Sequence, residues 1–143
     1  RFKTQVKTMK EHKHNFSKLH HVATTYYKES NCCTVVAVAV AANIAFGKAY
    51  HAMKREGRKD RRGAYFAQYK TALSKLGYSL ERRDSLDMGK TLSTAKRLAP
   101  KEGTFLLHTR GHVTCVRNGE MVDWSADNNS RKRIISIHEV IKN

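Results

Sequence analysis

The sequence predicts an α+β fold, in which a mainly helical first part packs a central cysteine-bearing helix on a C-terminal antiparallel sheet. Three observations support this prediction. The stretch from Cys32 to Phe46 is apolar on all sides and is followed by Gly47, as expected of a helix at the centre of a core. Beyond residue 103 the pattern changes to the short β-rich runs of strands. Asn118-Gly119 is a typical two-residue hairpin turn between two such runs.

The other elements follow from the same kinds of pattern. β-Branched and aromatic residues at 22–27 predict a short strand or an extended lead-in. Amphipathic stretches at 48–56 and 64–76, each followed by glycine, predict two helices. A short strand at 78–82 and a helix near 91–98 complete the first part of the chain. The strands predicted for the sheet are 103–109, 112–117, 120–125 and 132–137.

The length of 143 residues and the hydrophobic share of 40% suit one domain with a core of its own. Residues 1–21 are polar and basic, and we interpret them as an N-terminal arm to a domain at 22–143. The N-terminal segment lacks the apolar centre of a signal peptide, so secretion by that route is not expected. No apolar run reaches the ~20 residues of a membrane span.

Positive charge is the strongest signal in the composition: 28 Lys and Arg stand against 12 Asp and Glu, for a net charge of +16. Such a surplus indicates a polyanionic partner, DNA for example, although a solvated basic surface without a partner is the alternative. Aromatic residues lie among basic ones between Tyr50 and Lys70, a mixture that suits nucleic-acid contact. The candidate contacts are Arg55, Arg58, Lys59, Arg61 and Arg62.

Cys32 stands at the predicted start of the most apolar helix, with Ser30 or Asn31 as the N-cap. A helix N-terminus favours a thiolate, and a nearby imidazole can pair with it, so a cysteine placed there is a candidate nucleophile. Cys33 points about 100° away around the helix. We therefore rank Cys32 above Cys33 and take His112 as the general base.

The hairpin turn places a third residue beside this pair. With Asn118 and Gly119 as the central turn residues, Arg117 lies opposite Glu120, and His112 and Asp123 share one face of the hairpin. A carboxylate there can orient the imidazole and stabilise its charged form. Cys115 then faces the other way, into the core. A slip of one residue would move Asp123 to the opposite face.

Other chemistries have weaker support. A lone buried cysteine is usually a small apolar residue, and a lone strand histidine usually packs without reacting. The adjacent Cys32 and Cys33 do not have the spacing of a zinc site, and no glycine-rich phosphate loop occurs, so we predict neither a metal nor a cofactor. Three cysteines, two of them adjacent, suit a reducing compartment.

The same features resemble a family of small, often phage-encoded papain-like proteins, distantly similar to the double-glycine leader peptidases of bacteriocin transporters. The resemblance covers about residues 30–137 and is carried by Asn31-Cys32-Cys33-Thr34-Val35, Arg61-Arg62-Gly63, Gly111-His112-Val113 and Asn118-Gly119 to Asp123-Trp124. It implies a papain-like cysteine peptidase with Cys32 as nucleophile, His112 as base and Asp123 as orienting acid. It also implies a protein or peptide substrate, in the host cytoplasm or the virion interior.

One position departs from the family pattern. Papain-like enzymes commonly carry a glutamine about six residues before the cysteine, where it helps to stabilise the oxyanion, and this chain has Tyr26 there. The Tyr26 hydroxyl, the Asn31 side chain or the backbone N–H of Cys32 are the candidate substitutes. The alternative function is that of a basic, nucleic-acid-associated phage protein built on an inactive peptidase-like scaffold.

Overall fold

The computed structural model describes residues 16–30, 32–122 and 131–143, and in these it confirms the α+β class. The helices and strands follow one another in the order predicted for the middle of the chain. The helices are α1 Phe16–Tyr26, α2 Cys33–Ala42, α3 Phe46–Arg55, α4 Phe66–Lys75 and α5 Leu92–Leu98. The strands are β1 Tyr78–Arg82, β2 Thr104–Thr109, β3 His112–Arg117, β4 Glu120–Met121 and β5 Ser136–Lys142.

Helix α2 is the centre of the molecule, as its uniformly apolar sequence predicts. Every residue from Thr34 to Ala42 is buried, and the helix packs on β3, α3 and α4. It ends earlier than predicted, because Asn43 adopts the left-handed conformation (φ 58°) and its backbone N–H bonds the carbonyls of Ala39 and Val40. The chain then turns into α3 at Phe46.

The sheet is antiparallel throughout the described strands, in the order β1-β5-β2-β3-β4. Its hairpin has the predicted register, with Arg117 opposite Glu120 and Val116 opposite Met121. Asn118 takes the positive φ (51°) that this turn requires of a non-glycine residue, and Gly119 follows with φ 82°. Beyond β4 the Val122 N–H donates to the Cys115 carbonyl at 3.2 Å, and residues 123–125 of the predicted strand lie outside the described residues.

Both faces of the sheet are covered. One face packs on α2, and Val113, Cys115 and Leu106 belong to that core cluster. The other face holds a smaller cluster with α5, in which Leu107 and Val116 are buried. This alternation places Cys115 in the core, as predicted.

Two predicted strands were wrong. Residues 22–27 do not form a strand: 22–26 belong to α1, whose Leu19 and Ala23 lie four residues apart on one buried face. This helix crosses the boundary assumed between arm and domain at residue 21, and the arm before residue 16 lies outside the described residues. The last strand is 136–142 and not 132–137, because Arg133 makes only an isolated bridge to Thr91 while β5 continues along β1.

Within the described part of the chain, no single helix is both long and apolar enough to cross a membrane. Helices α2 and α3 meet the length and composition only when taken together, across a bend of 115°.

Candidate active site

A cavity of about 720 Å³ opens between the start of α2, the loop before α4 and the β2–β3 turn. It brings together three segments that are far apart in the sequence, including the Arg62-Gly63 and Gly111-His112-Val113 parts of the motifs described above. Its described lining residues are Cys33, Thr34, Gly57, Lys59, Arg62, Gly63, Ala64, Tyr65, Gln68, Tyr69, His108, Thr109, Gly111, His112 and Val113.

Cys33, the first residue of α2, lines this cavity and is half-buried. The first N–H groups of a helix have no partner within it, and the helix dipole adds positive potential at the same end. In α2 the first backbone hydrogen bond within the helix runs from the Val36 N–H to the Cys32 carbonyl, at 2.9 Å. Cys33 therefore lies at the end of α2 where the helix has its positive potential.

Cys32 occupies the N-cap position, is only 2% exposed and does not line the cavity. Burial raises the pKa of its thiol to about 11, an effect that the nearby Arg58 only partly offsets. A thiol that is buried and protonated near neutral pH is a poor nucleophile. Of the two adjacent cysteines, the structure thus gives the exposed position to the one that the sequence ranked second. The sequence predicts that the two side chains point about 100° apart around the helix. Which of them faces the cavity depends on the residues that pack against the helix.

His112, the first residue of β3, lines the same cavity as Cys33 and is half-buried. It follows a tight turn in which Gly111 has φ 72°, and a β-carbon added at Gly111 would meet nothing within 4 Å. The Thr109 hydroxyl donates to the His112 carbonyl at 3.3 Å and closes the turn. His112 thus lines the same cavity as Cys33 and not as Cys32, and its pairing with a cysteine stays a prediction. Asp123 and Asn31 lie outside the described residues, so their roles stay predictions.

A histidine–tyrosine pair that the sequence analysis did not single out forms one wall of the cavity. The His108 Nε2 is hydrogen-bonded to the Tyr69 hydroxyl, and the two rings stack with centroids 5.5 Å apart. Burial, with the neighbouring His138, lowers the pKa of His108 to about 4, so its ring is neutral at pH 7. Burial and the nearby Cys33 raise the pKa of Tyr69 above its ordinary value. The sequence did carry a signal for His108: side chains alternate along β2, so His108 lies on the same face as the buried Leu106.

The predicted oxyanion donor Tyr26 is not at the cavity. Its side chain is 70% exposed and its ring lies edge-on to His21, at the end of α1. Gln68 does line the cavity, but its amide accepts from the Tyr65 N–H at 2.8 Å and donates to the Glu56 carbonyl at 3.2 Å. Thr34 is a better-placed donor, since its hydroxyl is buried in the lining and bonds no partner among the described residues.

The loop that precedes α4 is held by a buried ion pair. Arg58 is 4% exposed and donates to both carboxylate oxygens of Glu29, at 2.8 and 3.2 Å. Arg58 was predicted as a nucleic-acid contact, and its burial in this pair withdraws it from the surface. Arg61 turns its side chain towards the Lys28 carbonyl, at 3.5 Å. Of the five predicted contacts, Lys59 and Arg62 line the cavity, and Arg55 is exposed at the end of α3.

Metal-ligating residue types do not gather into groups of three or more anywhere in the described ranges. Cys115 is fully buried, and burial raises its pKa to about 12.

Comparison with known proteins found no match to a family model, to a curated protein or to a solved structure.

Proposed function

We propose that this protein is a papain-like cysteine peptidase, or a related acyl-transfer enzyme, in which Cys33 is the nucleophile and His112 the general base. The observation that carries the proposal is that a cysteine at the N-terminus of the central helix and a histidine at the start of a strand line one cavity. The family resemblance of the sequence motifs supports the papain-like fold and a phage origin as further parts of the same proposal.

The reaction uses two groups of the chain in turn. His112 takes the proton of the Cys33 thiol, and the thiolate attacks the carbonyl carbon of a peptide bond. The imidazolium then gives its proton to the leaving amine as the C–N bond breaks, which leaves an acyl group on the sulfur. His112 next takes a proton from water, and the hydroxide forms a C–O bond with the acyl carbon as the C–S bond breaks. The imidazolium then returns its proton to the sulfur, which restores the thiol and the neutral histidine. The prediction for Asp123 is that it orients His112 through these steps.

Negative charge on the carbonyl oxygen needs hydrogen-bond donors that are already in place. The N-terminus of α2 supplies backbone N–H groups next to the nucleophile. The buried Thr34 hydroxyl lies one residue further along the same turn and in the same cavity. We therefore assign the oxyanion site to this end of α2, in place of the absent upstream glutamine.

The proposal is tested by measuring the rate at which iodoacetamide alkylates each cysteine, with the modified residue located by mass spectrometry. Near pH 7, Cys33 should react faster than a free cysteine, whereas Cys32 and Cys115 should stay unmodified in the folded protein. His112→Ala should slow Cys33 by at least about tenfold, because the thiolate loses its partner.

Two controls separate reactivity from exposure. Cys32→Ser should leave the rate at Cys33 nearly unchanged, and His138→Ala should do the same, since that histidine lies outside the cavity lining. The proposal fails if Cys33 reacts no faster than free cysteine, or if His112→Ala leaves its rate unchanged.

A further inference from the structure

The loop 58–63 at the mouth of the cavity is unusually well fixed for a charged surface segment. The carboxylate of Glu29 accepts three hydrogen bonds from it: two from Arg58 and one from the backbone N–H of Arg61, at 2.8 Å. Arg58 Nε also donates to the Arg62 carbonyl at 2.9 Å, and the Arg62 N–H donates to the Lys59 carbonyl at 3.1 Å. The backbone on either side of Lys59 and Arg62 is thereby held in one conformation.

The conformation of this loop includes two features that are costly on their own. Arg61 has φ 63°, a left-handed conformation that an arginine rarely takes. The Arg58–Glu29 pair, moreover, has been withdrawn from water. The hydrogen bonds of Glu29 and Arg58 hold the loop in this conformation. Of the basic residues of the loop, Lys59 and Arg62 line the cavity.

Within the described part of the chain, no carboxylate lines the cavity and neither Lys59 nor Arg62 forms an ion pair. Among the described residues, three acidic side chains near the loop already have partners. These partners are Arg58 for Glu29, Lys54 and Tyr50 for Asp60, and Lys75 for Glu56.

From this arrangement we infer that Lys59 and Arg62 form an anion-binding subsite, and that the substrate is a peptide with a carboxylate side chain close to the bond that is cut. Arginine matches a carboxylate with two parallel hydrogen bonds, and lysine adds a point charge. The part of the inference that concerns the peptide rests on the proposed function. Next to the subsite, Gly63 leaves open space where a side chain would be, so an extended peptide can approach the backbone there.

A polyanion such as DNA fits these residues less well. Phosphate contacts along a nucleic acid need a row of available cations, and the burial of Arg58 interrupts that row at the loop. Lys59 and Arg62 line a concave cavity together with Cys33 and His112, whereas Arg61 does not line it.

Alkylation of Cys33 by two reagents of nearly the same size tests the subsite directly. Iodoacetate carries a carboxylate and iodoacetamide does not. In both reactions the thiolate forms an S–C bond and iodide leaves. The ratio of the two rates cancels any change in the thiolate fraction of Cys33, so it reports the charge at the cavity. We expect the ratio to exceed that of free cysteine and to fall about tenfold in Lys59→Ala/Arg62→Ala, because two positive charges that line the cavity are lost.

A variant with matched charge loss is the control. Lys90→Ala/Arg97→Ala removes two exposed cations that do not line the cavity and should leave the ratio unchanged. Lys59→Glu/Arg62→Glu should lower the ratio further and should accelerate alkylation by the cationic reagent 2-bromoethylamine. An equal fall of the ratio in both alanine pairs, or no fall in either, overturns the subsite.

The substrate class is tested with peptidyl vinyl sulfones that differ only in carrying Glu, Gln or Lys next to the reactive group. The Glu reagent should label Cys33 about tenfold faster than the Gln reagent, and Lys59→Ala/Arg62→Ala should remove the difference. Equal labelling by all three overturns the acidic-peptide inference. So does an oligonucleotide that blocks the iodoacetate reaction with a steep salt dependence while the Glu and Gln reagents react alike. If the iodoacetate ratio behaves as expected but His112→Ala has no effect on Cys33, the anion site stands and the peptidase proposal fails.

Discussion

The buried ion pair between Glu29 and Arg58 allows a quantitative test of how the cavity loop is held. The side chains of Arg58 and Glu29 are 2% and 0% exposed, and the carboxylate accepts three hydrogen bonds. Glu29→Gln keeps the size of the side chain but removes the charge and turns one acceptor into a donor that faces the guanidinium. Arg58 is then left as a buried charge without its counter-charge.

Breaking a buried pair on one side typically costs about 3–5 kcal/mol. Unfolding entropies of about 2 cal/mol/K per residue amount to roughly 0.3 kcal/mol/K for a chain of 143 residues. The variant should therefore melt about 10–17 °C below the original protein, as measured by circular dichroism or calorimetry. Replacing both partners by apolar residues, as in Glu29→Leu/Arg58→Met, should cost less than Glu29→Gln alone, because no charge stays buried.

Glu81→Gln is the control, since it breaks the exposed ion pair with Arg83. Exposed pairs contribute about 0–1 kcal/mol, so this variant should melt within about 3 °C of the original protein. If Glu29→Gln loses no more stability than Glu81→Gln, or if the double variant loses more than Glu29→Gln, the account of the buried pair is wrong.

Three further predictions concern titration, backbone and thiol burial. The pKa of His108 is about 4 in the folded protein and 6.5 in the unfolded chain. Between these pH values unfolding takes up a proton, so the free energy of unfolding should fall by about 3 kcal/mol from pH 7 to pH 4. In urea titrations, His108→Asn should lose most of this pH dependence, and an unchanged pH dependence would contradict the assignment. Gly89→Ala should destabilise by about 1–3 kcal/mol, because Gly89 has φ 75° and a β-carbon would overlap the Thr94 hydroxyl; Gly63→Ala meets nothing within 4 Å, and an equal loss in both would refute the reasoning. Cys115 should react with Ellman's reagent only after unfolding, since its thiol is buried with a pKa near 12, and rapid reaction in the native protein would show otherwise.

The parts of the fold that could be predicted are those in which a local pattern is strong. The Val-Ala alternation after Cys32 also suits a buried strand, but the length of the run, its alanines and the following Gly47 favour a helix, and its uniformly apolar character predicts burial on every side. The Asn118-Gly119 turn predicted the hairpin register, because a two-residue turn leaves one way to pair the strands. Residues 22–27 were misassigned because their β-branched and aromatic content favours a strand, while burial of Leu19 and Ala23 on one helical face outweighs that preference.

The sequence by itself determined the fold class, the apolar helix that begins at the paired cysteines, and the strand that begins at His112, since each follows from residue type and spacing along the chain. Only the tertiary structure decided which cysteine is accessible and what becomes of the basic loop. The packing around the start of α2 buries Cys32 and leaves Cys33 at the cavity. Likewise, Glu29 lies 29 residues before Arg58 in the sequence, and their pairing buries Arg58, whereas Lys59 and Arg62 line the cavity. Burial and pairing of this kind depend on residues that are distant in the sequence, and no local pattern carries that information.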